Sequence, residues 1–118
     1  MSWDGLITFL GTQDLEKTHD FYAGLLGLVL YKDQGVCRVY ELRPGAYIGF
    51  CTHHPTVPQE LSPIITLLTE DVDRVYRLLL EAGAPVERPP GPNPGFRIYH
   101  FFARDPNGYK VEVQRFED

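Results

Sequence analysis

The strongest constraint on how this chain can fold is a pattern written twice. Ile7-Thr-Phe-Leu-Gly-Thr-Gln-Asp14-Leu-Glu-Lys17 is echoed by Ile64-Ile-Thr-Leu-Leu-Thr-Glu-Asp71-Val-Asp-Arg74. The step from Ile7 to Ile64 equals the step from Asp14 to Asp71, and it also aligns Leu10 with Leu67 and Thr12 with Thr69. A repeat of this kind marks a duplicated supersecondary unit. Each copy starts as a short apolar strand, after which Asp14 or Asp71 offers an N-cap carboxylate to the free amides of the next turn.

A helix is therefore expected in both copies. In the second, Val72, Val75, Tyr76, Leu79 and Leu80 recur at helical spacing and Gly83 supplies a stop. In the first, Leu15, Tyr22, Leu25 and Leu26 form the stripe, with Phe21 at its margin and Gly27 at its end. Three strand-like runs follow the first helix, Val29 to Lys32, Cys37 to Leu42 and Tyr47 to Thr52, separated by turns at Asp33-Gln-Gly35 and Arg43-Pro-Gly45. After the second come Val86 to Arg88, Arg97 to Ala103 and Tyr109 to Gln114. Each copy thus reads βαβββ, and the chain reads as one α+β domain over 1–118. Module one spans about 5–53, a linker with three prolines about 53–63, and module two about 64–115. The run Pro89-Pro-Gly-Pro-Asn-Pro-Gly95 is expected to be a loop, because prolines cannot donate to a ladder.

Asp105-Pro-Asn-Gly108 is strong turn chemistry, so a hairpin is expected to close there. On its return strand Val111 and Val113 share one face, and Lys110, Glu112 and Gln114 share the other.

At 118 residues, the chain has room for one domain with a proper core. Its 16 acidic against 11 basic residues argue against a nucleic-acid partner, which would need clustered Lys and Arg. No apolar run approaches the roughly 20 residues of a membrane span. The opening Met1-Ser-Trp-Asp-Gly5 lacks a basic and apolar leader, so the expected location is cytoplasmic. Cys37 and Cys51 lie in apolar strand-like segments outside any Cys-x-x-Cys arrangement and read as buried thiols rather than a disulfide.

The two βαβββ copies, the helix-closing FYAGLLGL (21–28) and the late GFRIYHFFARDPNGYKVEV (95–113) together resemble the vicinal oxygen chelate superfamily of glyoxalase, bleomycin resistance and extradiol dioxygenase proteins. The resemblance spans nearly the whole chain. It implies two modules curled into a cupped half-barrel sheet with helices on the convex side, usually paired as a homodimer, and a small-molecule site in the cleft. Metal-dependent members carry a His on the first strand of each module and a Glu on the last strand of the second. The matching positions here are Ile7, Ile64 and Glu112, and an isoleucine has no lone pair for an ion. Only Glu112 matches, so no metal and no cofactor are expected, with a divalent ion left as the alternative.

The resemblance places Glu112 and His100 in the cleft as catalytic candidates, with Tyr47, Tyr40, Phe9, Phe102, Ile7, Ile64 and Arg97 as ligand-binding candidates. From the strand pattern alone Glu112 reads first as a solvated acid on an edge strand, and His100 as a half-buried imidazole satisfied by a carbonyl. Tyr47 and Tyr40 are either stacking platforms or core. Arg104, beside the turn, reads as solvated, and His19 as structural. His53 and His54 are adjacent in an extended segment and point to opposite faces, which argues against a metal dyad. No Ser-His-Asp order, phosphate-cradling loop or dinucleotide fingerprint is present.

The resemblance without its histidines implies a small-molecule-binding protein, similar to bleomycin resistance proteins, that sequesters an apolar or cationic compound. The alternative is a lyase, isomerase or dioxygenase of the same fold using Glu112 and His100, with or without a divalent metal. A third class is a scaffold subunit with a vestigial cleft.

Overall fold

Asp14 caps the first helix as its position suggests: its Oδ1 accepts from the Lys17 amide at 2.9 Å in the computed structural model, which describes residues 1–118. The chain divides into two compact units, Met1–Val57 and Pro58–Asp118. Each is a four-stranded mixed sheet with helical structure after its first strand, so the fold is α+β.

In the first unit β1 (Leu6–Gly11) leads into α1 (Leu15–His19), then β2 (Val29–Asp33), β3 (Cys37–Arg43) and β4 (Ala46–Cys51). The strand order is β1-β4-β3-β2, with β1 parallel to β4. The helix departs from the expected regular stripe, because α1 passes into a π-helical segment over Asp20–Leu25, where the Leu26 amide donates to the Phe21 carbonyl at 3.0 Å. The extra residue in that turn rotates the face, so Phe21 and Tyr22 are buried while Leu25 and Leu26 are only half-buried. Tyr22 packs on Phe50 with ring centroids 4.8 Å apart.

Cys37 and Cys51 form a disulfide rather than two thiols. The reason is register. β3 and β4 are antiparallel and place these two residues directly opposite each other, with Cα atoms 4.1 Å apart. Sequence position shows two apolar strands but not which residues face across them.

The second unit repeats the plan with β5 (Ile64–Leu68), α2 (Val72–Glu81), β6 (Gly91–Asn93), β7 (Ile98–Arg104) and β8 (Lys110–Phe116), in the order β5-β8-β7-β6. Asp71 occupies the N-cap without a side-chain bond; instead its amide donates to Thr69 Oγ1 at 3.0 Å. Val72 and Leu79 carry the buried face of α2, whereas Leu80 is exposed. After α2, Gly83 takes a positive φ of 78° and ends the helix.

The second strand of this unit is displaced from the expected Val86 to Arg88, where only an isolated bridge from Val86 to Ala103 forms. The ladder falls inside the proline-rich run instead, with Gly91 opposite His100 and Asn93 opposite Ile98. Pro92 is tolerated because β6 is an edge strand, so its missing N–H need not face a neighbour. The β7–β8 turn is built as the sequence suggests. Asp105 Oδ1 accepts from the amides of Asn107 (2.8 Å) and Tyr109 (2.9 Å), and Gly108 takes a φ of 85°.

Candidate functional site

Strand parity and register assemble one polar cluster on the second sheet. β8 is a central strand, parallel to β5 on one side and antiparallel to β7 on the other. Val111 and Val113 are buried on the face toward α2, as the alternation predicts. Register sets Glu112 between Thr66 and Phe102, and Gln114 between Leu68 and His100. All share the opposite face.

Glu112 is therefore not a solvated acid on an edge strand; it is 9% exposed. Its Oε1 accepts from Thr66 Oγ1 at 2.9 Å, and its Oε2 lies 2.6 Å from His100 Nδ1. In its satisfied orientation, the Gln114 carboxamide donates to both oxygens at 3.1 Å. Burial of a carboxylate is costly unless such donors replace water. A carboxylate only accepts, so Nδ1 is the nitrogen that carries a proton in this contact, and Nε2 is the nitrogen turned away from it. The 2.6 Å separation is that of a strong, charge-assisted contact.

Phe102 borders the cluster. Its ring lies 5.2 Å from the His100 ring in an edge-to-face arrangement, and Lys110 Nζ sits 4.3 Å from its centroid. His100 and Phe102 also line an open cavity of about 330 Å³ beneath the proline-rich segment, together with Glu87, Arg88, Pro92 and Asn93. Ile64 and Leu68, on the same face of β5, are 55% and 61% exposed. That leaves an apolar margin beside a buried polar centre.

Other expected residues are dispersed. In the first unit Ile7, Phe9 and Tyr47 share one sheet face. Phe9 lies over Gly49 so closely that a Cβ there would fall 2.5 Å from its ring, and Tyr47 packs against Tyr31 at 4.7 Å. Tyr40 is on the other face, completely buried, so its ring is core and not a ligand wall. Its hydroxyl contacts His19 Nδ1 at 2.9 Å, and burial pushes its ionisation above the ordinary value. Arg97 stands exposed at the turn before β7 with a positive φ of 52°. Arg104 is half-buried, donating to the Gly108 carbonyl at 3.0 Å. His53 and His54 do not diverge as an extended pair would. They follow β4 in a turn, with ring centroids 4.2 Å apart.

Thr66 and Gln114 are the partners that sequence reading missed. Gln114 was legible by parity, two residues beyond Glu112, whereas Thr66 depends on the parallel β5–β8 register, which no local pattern encodes.

The family model described as Glyoxalase/Bleomycin resistance protein/Dioxygenase superfamily matches residues 6–113. The chain belongs to this superfamily. Among curated relatives, a probable lactoylglutathione lyase of Vibrio cholerae serotype O1 is 28% identical over 120 residues, covering 92% of this chain and 87% of the relative. Solved members share the glyoxalase-like fold. A glyoxalase/bleomycin resistance protein/dioxygenase from Alicyclobacillus acidocaldarius superposes with a TM-score of 0.76 at 19% identity, covering 98% of this chain and 92% of that one. TioX from Micromonospora sp. ML1 gives 0.79 at 18% identity, over 96% and 98%. No helix is long and apolar enough to cross a membrane.

Proposed function

We propose that this glyoxalase-superfamily chain binds a small, largely apolar molecule on the β5–β8–β7 face without a metal. The observation carrying this reading is the buried contact of His100 with Glu112, flanked by Phe102 and by the exposed Ile64 and Leu68. The donor set supports metal independence. Both oxygens of Glu112 already accept hydrogen bonds, and position 64 is a hydrocarbon. One committed carboxylate and one imidazole fall short of the roughly three protein ligands of a catalytic zinc site. Because Glu112 is satisfied within the protein, the polar contact left for a ligand is His100 Nε2.

The test is a binding screen of flat apolar compounds against chelator-treated protein, followed by thermal shift. Binding that survives chelation and weakens at least tenfold in His100→Ala supports the reading. Binding that requires an added divalent ion contradicts it.

One observation favours a second reading, a metal-free acid–base enzyme: His100 lines the cavity while Glu112 backs its Nδ1. That arrangement orients the ring and steadies the imidazolium formed when Nε2 takes a proton. Exchange of an acidic substrate C–H with deuterium from solvent, lost in His100→Ala, would distinguish catalysis from binding.

A further inference from the structure

We propose that Cys37, Cys51 and His53 form a redox-gated zinc site, closed while the disulfide exists and opened by its reduction. The candidate ligand atoms of these three residues all lie within 4.8 Å of one another. His53 Nδ1 is 3.7 Å from Cys37 Sγ. Tetrahedral zinc with Zn–S near 2.3 Å and Zn–N near 2.0 Å separates its ligands by about 3.5 Å for S···N and about 3.8 Å for S···S. The spacing of the Cys37 sulfur from the His53 nitrogen is thus close to what zinc requires, and the sulfurs must part to take the ion between them.

The fold holds the rest of the geometry independently of the bond. β3 and β4 keep Cys37 opposite Cys51 through a ladder running from Arg43 to Cys37, so reduction does not disperse the thiols. His53 is fixed near them by the turn that packs on β1, where the backbone of His54 and Pro55 covers Gly11 so tightly that a Cβ would meet the Pro55 carbonyl oxygen at 2.1 Å. The cysteines are buried and His53 is exposed, which gives the ion an entry from solvent and leaves its fourth position to water. Two thiolates and an imidazole are a donor set that suits Zn²⁺ over Mg²⁺ or Ca²⁺.

The chemistry balances. A dithiol delivers two electrons and two protons to the Cys37–Cys51 bond and becomes its own disulfide. Zn²⁺ then displaces both thiol protons to water and binds neutral His53 through Nδ1.

The test uses the whole chain. The disulfide is reduced anaerobically with a trialkylphosphine, which takes the oxygen of one water as phosphine oxide while its two hydrogens go to the sulfurs. Desalted protein is titrated with Zn²⁺ against a chromophoric chelator, and with Co²⁺ for its sulfur-to-metal charge-transfer band. The reduced protein is expected to take up one equivalent, with the band present, and the disulfide form none in this affinity range. His53→Ala should weaken binding at least tenfold, since even outer partners of a metal ligand are worth about 10–100-fold. Cys37→Ser should abolish the band. Equal uptake by the two redox forms, no uptake after reduction, or no effect of His53→Ala would overturn the proposal. So would loss of far-UV circular dichroism on reduction that zinc does not restore.

Discussion

His100 Nδ1 and Glu112 Oε2 lie 2.6 Å apart across the β7–β8 ladder, although the two residues are not register partners: His100 faces Gln114, and Glu112 faces Phe102. The contact is a diagonal between adjacent strands, within reach of long side chains. It carries a carboxylate into a nearly dry position and commits one nitrogen of the imidazole while leaving the other free. The polar centre of the candidate site is therefore a pair, held by Thr66 and Gln114.

Glu112→Ala should destabilise the fold as well as the site. It removes the acceptor of the buried Gln114 amide and of the half-buried His100 Nδ1–H, while the exposed Thr66 hydroxyl turns to water. Buried unsatisfied donors cost about 1–3 kcal/mol. Urea denaturation of the variant checks this, and an unchanged midpoint would mean that water replaces the carboxylate freely.

Removing the Cys37–Cys51 bond, in Cys37→Ala/Cys51→Ala, should cost about 2–3 kcal/mol, because the bond closes a short loop, with a sequence separation of 14. The same denaturation series reads it. Retention of full stability would show that the β3–β4 ladder alone restricts the unfolded chain.

Tyr40 predicts an alkaline limit. Burial raises its folded ionisation above the ordinary 10.0, so above that pH the unfolded chain loses this proton first. The native state then binds more protons than the unfolded one, and stability falls as pH rises. Tyr40→Phe should flatten that fall above about pH 10 while leaving the neutral-pH fold intact, as urea midpoints between neutral and strongly alkaline pH would show.

Gly11→Ala should destabilise by about 1–3 kcal/mol, the usual cost of overpacking, because backbone rather than a flexible side chain blocks the new methyl. Gly24→Ala, where an added Cβ meets nothing within 4 Å, is the matched control. Thermal denaturation of the two should separate them clearly.

Much of the fold was legible because its signals are local or repeated. The Asp14 cap, the Gly83 stop and the Asp105-to-Gly108 turn each follow from one residue's chemistry, and the recurrence of Ile7 to Lys17 at Ile64 to Arg74 exposed the duplication. What escaped depends on pairing between distant segments. The disulfide, the Thr66–Glu112 contact and the ladder at Gly91–Asn93 are all consequences of strand register, and register is a tertiary property. Tyr40 failed as a ligand wall for a related reason, since a one-residue step from Glu41 moves a side chain to the opposite face. The π-helical turn over Asp20–Leu25 left no mark in the hydrophobic spacing.

The most direct measurement is a calorimetric titration of a screened ligand into disulfide-intact protein stripped of metal, in parallel with His100→Ala. The account predicts saturable binding by the stripped wild type, unchanged when divalent ions are restored and at least tenfold weaker in the variant. Binding that appears only when an ion is restored, or that His100→Ala leaves untouched, would contradict it.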